Sequence, residues 1–455
     1  MPRPPDTIAA ISTAWGEAGI AIVRVSGPEA AATARSVLRL GPSGLPPREM
    51  RLAALLDEAG RPIDQALAVH FPAPHSYTGE DVVEIHTHGG TLVAQLCLEA
   101  LLRRGVRLAE PGEFTRRAFL NGRIDLSQSE AVLGVIRARS AEALRAAART
   151  LSGELSEFVR QIRDELLTLQ GNLEVGLDFP EGEPPQVGEA ALRDSLETLR
   201  MSLRDLEDRC SLGALLREGV RVVLSGRPNV GKSSLLNALL KQARAIVTAL
   251  PGTTRDVIEE TIAYRGVPIR LVDTAGLRAP MDEIEASGIE RARSELRQAD
   301  ICLWLLDASV PLEDAEEEYI RDLALREAII VLNKADLPRA VTEEAVRDIA
   351  PEARVLSLSA RTGEGLEALK EAIVAVATEG GALDAGLNVT ARQLADIRSG
   401  ARSLDEAWRS VEDGMGQDVT AGLLGQARLA LERLLGISAD DALLDSIFGR
   451  FCLGK

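Results

Sequence analysis

The run Val220-Arg-Val-Val-Leu-Ser225 is β-rich and leads directly into Gly226-Arg-Pro-Asn-Val-Gly231-Lys232-Ser233, after which Ser234-Leu-Leu-Asn-Ala-Leu-Leu240 continues as a helix. This is GxxxxGKS in the strand–loop–helix setting that gives the motif its meaning. The glycines let backbone N–H groups turn inward around a polyphosphate, and the helix N-terminus adds positive potential. Such a loop needs a parallel-rich sheet flanked by helices to hold it. Asn229, Val230, Gly231 and Ser234 are predicted to wrap the phosphates. Lys232 is predicted to reach the β- and γ-phosphates as a catalytic cation, and Ser233 to ligate Mg²⁺.

Three further elements follow in order. Pro251-Gly252-Thr253-Thr254-Arg-Asp256 supplies a switch-like loop with Thr254 as the second Mg²⁺ ligand, and Thr248, Ala249 and Leu250 before it are expected among the GTP-binding residues. Ile269-Arg-Leu-Val-Asp273-Thr274-Ala275-Gly276 ends a strand on an acid and a glycine, which suits Mg²⁺ contact through water and a γ-phosphate sensor. Ala328-Ile-Ile-Val-Leu-Asn333-Lys334-Ala-Asp336 ends another strand with NKxD, and Ser359-Ala360 follows a third. Asp336 can accept from the ring N–H and amino group of guanine, while a backbone N–H near Ala360 meets its oxygen. Adenine would leave those groups mispaired, so the four elements together predict GTP as the nucleotide. The residue after Gly276 is Leu277, which cannot orient water as the glutamine of Ras-like enzymes does. Asp282, Glu283 and Glu285 lie shortly downstream, as a solvated helix start or as the source of a water-ordering carboxylate.

Charge and cysteines narrow the rest. The formal net charge is −17, which argues against a broad nucleic-acid surface but leaves room for a local basic patch. Cys97, Cys210, Cys302 and Cys452 include no CxxC pair, so neither a disulfide framework nor a zinc ribbon is expected, and a reducing compartment is the default. No apolar stretch has the length of a membrane span, and the N-terminus lacks the pattern of a signal peptide.

Along the chain, Gly19–Val25 and Asp81–Ile85 read as strands, and Glu29–Arg39 and Thr91–Arg104 as helices. Leu151, Leu155, Phe158, Val159, Ile162, Leu166, Leu169 and Leu173 recur at spacings of three and four, one apolar stripe on a long helix. Helix is expected again over 189–216, over 391–435, and in a short segment over 440–448. The fold class is multidomain, α/β and α: an N-terminal α/β domain over 1–120, a discontinuous helical domain over 121–218 and 380–455, and an inserted Ras-like P-loop GTPase domain over 219–378.

Pro111-Gly-Glu-Phe-Thr-Arg-Arg-Ala-Phe-Leu-Asn-Gly-Arg123, the phosphate loop, Pro251-Gly-Thr-Thr-Arg-Asp256 and the terminal Phe451-Cys-Leu-Gly-Lys455 together resemble the MnmE family, also called TrmE, of tRNA-modification GTPases. The resemblance spans essentially the whole chain. It implies a cytoplasmic homodimer joined through the N-terminal domain, which binds a 5-formyl-tetrahydrofolate-type one-carbon donor. It implies a complex with the FAD- and NADH-using partner MnmG that adds aminomethyl or carboxymethylaminomethyl groups at C5 of the tRNA wobble uridine, with GTP hydrolysis stimulated by K⁺. Carried over, the folate contacts fall on Arg24, Glu84, Arg123 and Lys455, and the K⁺ site on Asn229, Thr248, Leu250 and Thr253. The catalytic acid falls on Glu285, and the family cysteine on Cys452. Position 123 is often lysine in the family, and Pro251 stands where the family has alanine. Taken alone, Arg24 and Glu84 also suit an ordinary cross-strand ion pair, and His86 and His88 suit surface or core positions better than a metal pair. The G motifs alone also fit a ribosome-assembly GTPase, but that reading predicts a basic RNA-binding module beside the G domain, where this chain has helix.

Overall fold

The computed structural model describes residues 6–178, 188–244, 259–273, 299–323, 328–378 and 383–455. The N-terminal elements are β1 (Ile8–Ile11), β2 (Ile20–Ser26), α1 (Ala30–Val37), β3 (Leu38–Arg39), β4 (Arg51–Leu56), β5 (Pro62–Phe71), β6 (Val82–His88), α2 (Thr91–Leu102), β7 (Arg107–Leu108) and α3 (Glu113–Leu120). Helices α4 (Leu126–Arg137), α5 (Ala141–Leu151), α6 (Glu154–Asp178) and α7 (Glu189–Glu218) come next. The alternating part holds β8 (Val220–Gly226), α8 (Lys232–Arg244), β9 (Glu259–Tyr264), β10 (Val267–Asp273), β11 (Ile301–Asp307), α9 (Asp314–Leu323), β12 (Ala328–Asn333), α10 (Glu343–Ile349), β13 (Arg354–Ser357) and α11 (Leu366–Ala377). A short 3₁₀ turn, Leu383–Ala385, precedes α12 (Ala391–Glu412), α13 (Gln417–Leu435) and α14 (Asp441–Phe448). The chain divides into two compact units. One gathers residues as far as Leu133 with Thr150–Leu203 and Ala395–Lys455, and the other Gly134–Arg149 with Arg204–Leu394.

In the first unit, the described residues form a seven-stranded sheet ordered β3-β4-β5-β6-β2-β1-β7. Neighbours are antiparallel except β1 and β7. Side chains alternate across it: Ala21, Val23 and Val25 of β2 are buried, while Ile22 and Arg24 look to the other face. α1 and α2 cover the buried face, where Ala34, Cys97 and Leu101 meet Val23, Val83 and Ile85. Burial in this apolar layer pushes the Cys97 thiol up to about 12. The helix predicted over Glu29–Arg39 stops at Val37, because Leu38 and Arg39 pair with Leu55 and Ala54 of β4 and Leu38 is buried there.

The stripe read from the sequence is mostly the buried face of α6, where Leu155, Val159, Ile162, Leu166, Leu169 and Leu173 are buried and Phe158 is partly buried; Leu151 instead ends α5, because the chain turns at Gly153 with φ +99. That face packs along α13, whose Ala421, Leu424, Ala427 and Leu431 are buried in turn. The helical run expected over 391–435 is two helices. Gly414 takes φ +65 and Gly416 caps α13, so the chain reverses between them.

The second unit holds, among the described residues, a six-stranded sheet ordered β13-β12-β11-β8-β10-β9, parallel except for β9 against β10. Val222, Leu224, Leu303, Leu305 and Val331 are buried in its centre, continuous apolar runs as a sheet covered on both faces requires. Ala143 and Ala146 of α5 join the same core. Among the described residues no helix is long and apolar enough to cross a membrane.

Candidate functional site

The phosphate loop sits where β8 ends and α8 begins. Gly226 has φ +138, and a Cβ there would lie 2.4 Å from the Leu305 carbonyl oxygen; Gly231 has φ +97, and a Cβ there would lie 2.3 Å from Asn333 Nδ2. Both positions therefore demand glycine. The buried Lys232 ammonium donates to the carbonyls of Gly226 and Arg227 at 2.8 and 2.7 Å, which keeps it inside the loop. Ser233 and Ser234 are exposed on the first turn of α8, and Asn229 is exposed at φ +66.

The NKxD segment is tied to that loop through Asn333. Buried Asn333 donates from Nδ2 to Val230 O at 2.8 Å and accepts at Oδ1 from the Ala360 N–H at 3.0 Å. Asn333 thus joins the phosphate loop, the end of β12 and the segment after β13 in one network. Lys334 takes φ +64 and pairs with Asp307 at the end of β11. Partial burial opposes the charged form of Asp307, but hydrogen bonds from Lys334 and Ser309 outweigh it and hold its carboxyl below the usual range. Asp336 accepts from the Ser359 hydroxyl at 2.6 Å, which holds its carboxyl low and presents it as an acceptor. The sequence reading passed over Asp307; its signal is an acid closing the apolar run Ile301–Leu306.

Asp273 closes β10 beside β8, with Leu224 as its register partner. Thr248, Ala249, Leu250, Pro251, Gly252, Thr253 and Thr254, then Thr274, Ala275, Gly276, Leu277 and Glu285, lie outside the described residues.

The first unit carries a second constellation. Arg24 on β2 and Glu84 on β6 are direct register partners, and the guanidinium donates to Glu84 Oε1 at 2.7 and 3.0 Å. The Arg24 guanidinium lies 5.2 Å from the Tyr77 ring centre and 5.7 Å from that of Phe114. Lys455 reaches the same place. Its half-buried ammonium is held below its ordinary pKa by desolvation and by Arg24, against the opposing pull of Glu84 and Cys452. The tail is held there by close packing. Ser12 Oγ donates to Gly454 O at 3.1 Å, and Gly454 at φ +89 leaves no room for a Cβ, which would lie 2.3 Å from Ile11 O. Arg123 stands beside the loop that carries Tyr77, donating from Nε to Ser76 O at 3.2 Å. Cys452 is exposed. His86 Nε2 lies 3.4 Å from Glu84 Oε2 and exposed His88 pairs with Asp64; no cluster of three or more metal-ligating side chains occurs among the described residues. Tyr77 was not singled out by sequence reading, because its role depends on a loop folding back over β2.

Two family profiles match this chain. One, described as the MnmE helical domain, covers residues 126–452, and the other, the N-terminus of GTP-binding protein TrmE, covers 7–123. The chain belongs to the MnmE family. The tRNA modification GTPase MnmE of Heliobacterium modesticaldum is 43% identical to it over 465 residues, covering 99% of each chain. The protein of that name from Symbiobacterium thermophilum is 44% identical and that from Geobacillus kaustophilus 41%, again with 99% of each chain covered. Within this MnmE-family GTPase, the loop around Lys232 and the network around Asn333 lie together in the second unit. The cluster of Arg24, Glu84 and Lys455 belongs to the first.

Proposed function

We propose that this chain is the GTP-hydrolysing subunit of a complex that modifies tRNA at C5 of the wobble uridine, adding aminomethyl or carboxymethylaminomethyl groups. The complex uses a 5-formyl-tetrahydrofolate-type one-carbon donor and the FAD-dependent partner MnmG, in the cytoplasm. The observation that carries the reading is the Arg24–Glu84 pair, with the Arg24 guanidinium over the rings of Tyr77 and Phe114 and Lys455 near enough to feel both charges. Two cations facing one carboxylate suit an anionic ligand, and the aromatic faces suit a flat ring. The relatives that align along the full length are tRNA modification GTPases. In this reading residues 1–120 bind the donor, 219–378 hydrolyse GTP, and 121–218 with 380–455 form the helical domain between those tasks.

In the G domain Lys232 neutralises the phosphates, and Asp336, braced by Ser359, reads guanine. Ser233 and Thr254 hold Mg²⁺, while Asn229, Thr248, Leu250 and Thr253 hold K⁺; bound there, the two ions supply positive charge to the phosphate oxygens. Glu285 orients the attacking water that Leu277 cannot. The homodimer forms through the open face of the N-terminal sheet, where Ile20, Leu52 and Leu67 are 55%, 63% and 37% exposed.

The test is nucleoside analysis of bulk tRNA from cells whose only copy carries Arg24→Ala. Loss of the modified wobble nucleoside, with GTP turnover by the purified variant intact, is the expected result. A normal content of modified nucleoside would overturn the reading.

A further inference from the structure

The end of the N-terminal sheet around the β4–β5 turn is basic in a chain of net charge −17. Three arginines from three segments converge on the turn at residues 57–61. Arg39 of β3 donates to Gly60 O at 3.3 Å. Arg103, the C-cap of α2, donates to Glu58 Oε2 at 2.8 Å. Arg61, on the turn itself, pairs with Asp57 at 2.8 Å. Arg104 follows Arg103, and Arg35 stands in the last turn of α1, four positions before Arg39. All five are exposed.

The carboxylates nearby are fewer and already engaged: Asp57 by Arg61, Glu58 by Arg103, while Glu99 accepts from Gln95. Arg35, Arg39 and Arg104 have no carboxylate partner among the described residues. The ends of α1 and α2 account for some of this charge, since basic groups offset a helix C-terminal dipole. That does not account for Arg39 on an edge strand or for Arg61 on the turn.

We infer that this arginine fan, Arg35, Arg39, Arg61, Arg103 and Arg104, is a docking surface for the ribose-phosphate backbone of the RNA substrate. The inference rests on the tRNA reading above and adds to it the surface that meets the RNA. Every cation in the fan is arginine, whose fork engages two phosphate oxygens at once. An acidic chain repels a polyanion at long range, so contact needs a local positive surface. A protein partner would need an apolar centre to desolvate. None of the large apolar side chains exposed in this structure falls within residues 30–40, 56–63 or 99–106. The fan offers charge and hydrogen-bond donors without such a centre, which fits a phosphate backbone.

The experiment is binding of an unmodified tRNA transcript to the full-length chain, followed by fluorescence anisotropy across a salt series. The wild type is compared with Arg39→Glu/Arg104→Glu and with the milder Arg39→Gln/Arg104→Gln. The circular dichroism spectrum and melting temperature of each variant report that the fold is intact. The expected result is an affinity loss of about tenfold or more for the Gln pair, greater for the Glu pair. The slope of log K against log salt should also fall by about 0.7–0.9 per phosphate contact removed. Wild-type binding with variants of unchanged affinity and slope overturns the inference and leaves the tRNA reading standing. A wild type that binds no tRNA, in cells whose wobble nucleosides are unaffected by its deletion, overturns both.

Discussion

At the scale of single residues, Asn333 decides more than its place in NKxD suggests. Its amide bonds both the phosphate loop and the Ala360 segment, so the segments proposed to read the base and to hold the phosphates share a pin. The motif is legible in four letters, but the two bonds are not, since they join positions 103 and 27 residues away. Asp336 has the opposite character: it is exposed, braced at Oδ1 by the Ser359 hydroxyl, with the Arg361 guanidinium 3.7 Å from Oδ2. Asp336→Asn exchanges acceptor for donor at the edge proposed to read the guanine amino group. Preference should pass from GTP to xanthosine triphosphate, with GTP affinity falling about tenfold or more. Competition between the two nucleotides in equilibrium binding measures it, and unchanged GTP affinity refutes the role of Asp336. Arg24 and Glu84 were open to two readings from sequence, and the structure makes them a cross-strand ion pair. The pair does not by itself separate a structural role from a binding one. In the proposed reading Lys455 and the two aromatic rings beside Arg24 favour binding, and they come from segments that no local spacing connects.

Elements with strong periodicity read well. The α6 stripe, the strand at β2 and the strand–loop–helix of the phosphate loop all follow from spacing alone. The β4–β5 hairpin was not read, because Leu52, Ala53, Ala54, Leu55 and Leu56 form an apolar run without alternation. Only pairing with β5 sends Ala53 and Leu55 into the core and leaves Leu52 outside. The tail following α14 is the other case. Phe451 joins a core with Leu126, Leu444 and Phe448, and Gly454 lies against Ile11. Gly454→Ala puts a methyl group where the Ile11 carbonyl stands, at a left-handed φ that alanine resists. The tail should undock, and wobble-uridine modification should fall sharply while GTP hydrolysis keeps its rate. Deletion of Cys452–Lys455 should reproduce the phenotype. Normal nucleoside content in either variant refutes a role for the tail in the donor site.

At the scale of the whole molecule, the chain crosses between its two compact units several times. Sequence reading anticipated an inserted α/β domain, because the change from helix to strand alternation at Val220 is abrupt. It did not anticipate that α5, far upstream, contributes Ala143 and Ala146 to the core of that unit. Nothing in an Ala-rich helix states which sheet it will cover. Association should likewise be decided by a face rather than a motif. Leu52 and Leu67 are register partners on the open side of the N-terminal sheet, and Leu67 in turn faces His86. Leu52→Asp with Leu67→Asp places two like charges opposite each other at the centre of that face. Light scattering on the eluting protein should then report a monomer where the unaltered chain gives a dimer, with the circular dichroism spectrum preserved. A variant that stays dimeric excludes this face as the interface.

The bond from Ser12 to Gly454 joins residues 442 positions apart. On a ribosome adding about 5–20 residues each second, the first strands wait roughly 20–90 s before the segment that completes their cluster is made. The N-terminal sheet can pair its strands during that interval, but Lys455 cannot reach Arg24 and Glu84 until it leaves the exit tunnel. A nascent chain abandoned before residue 455 has made its phosphate loop but lacks the lysine that approaches Arg24 and Glu84. Completion of that cluster is therefore a record that synthesis ran through to residue 455.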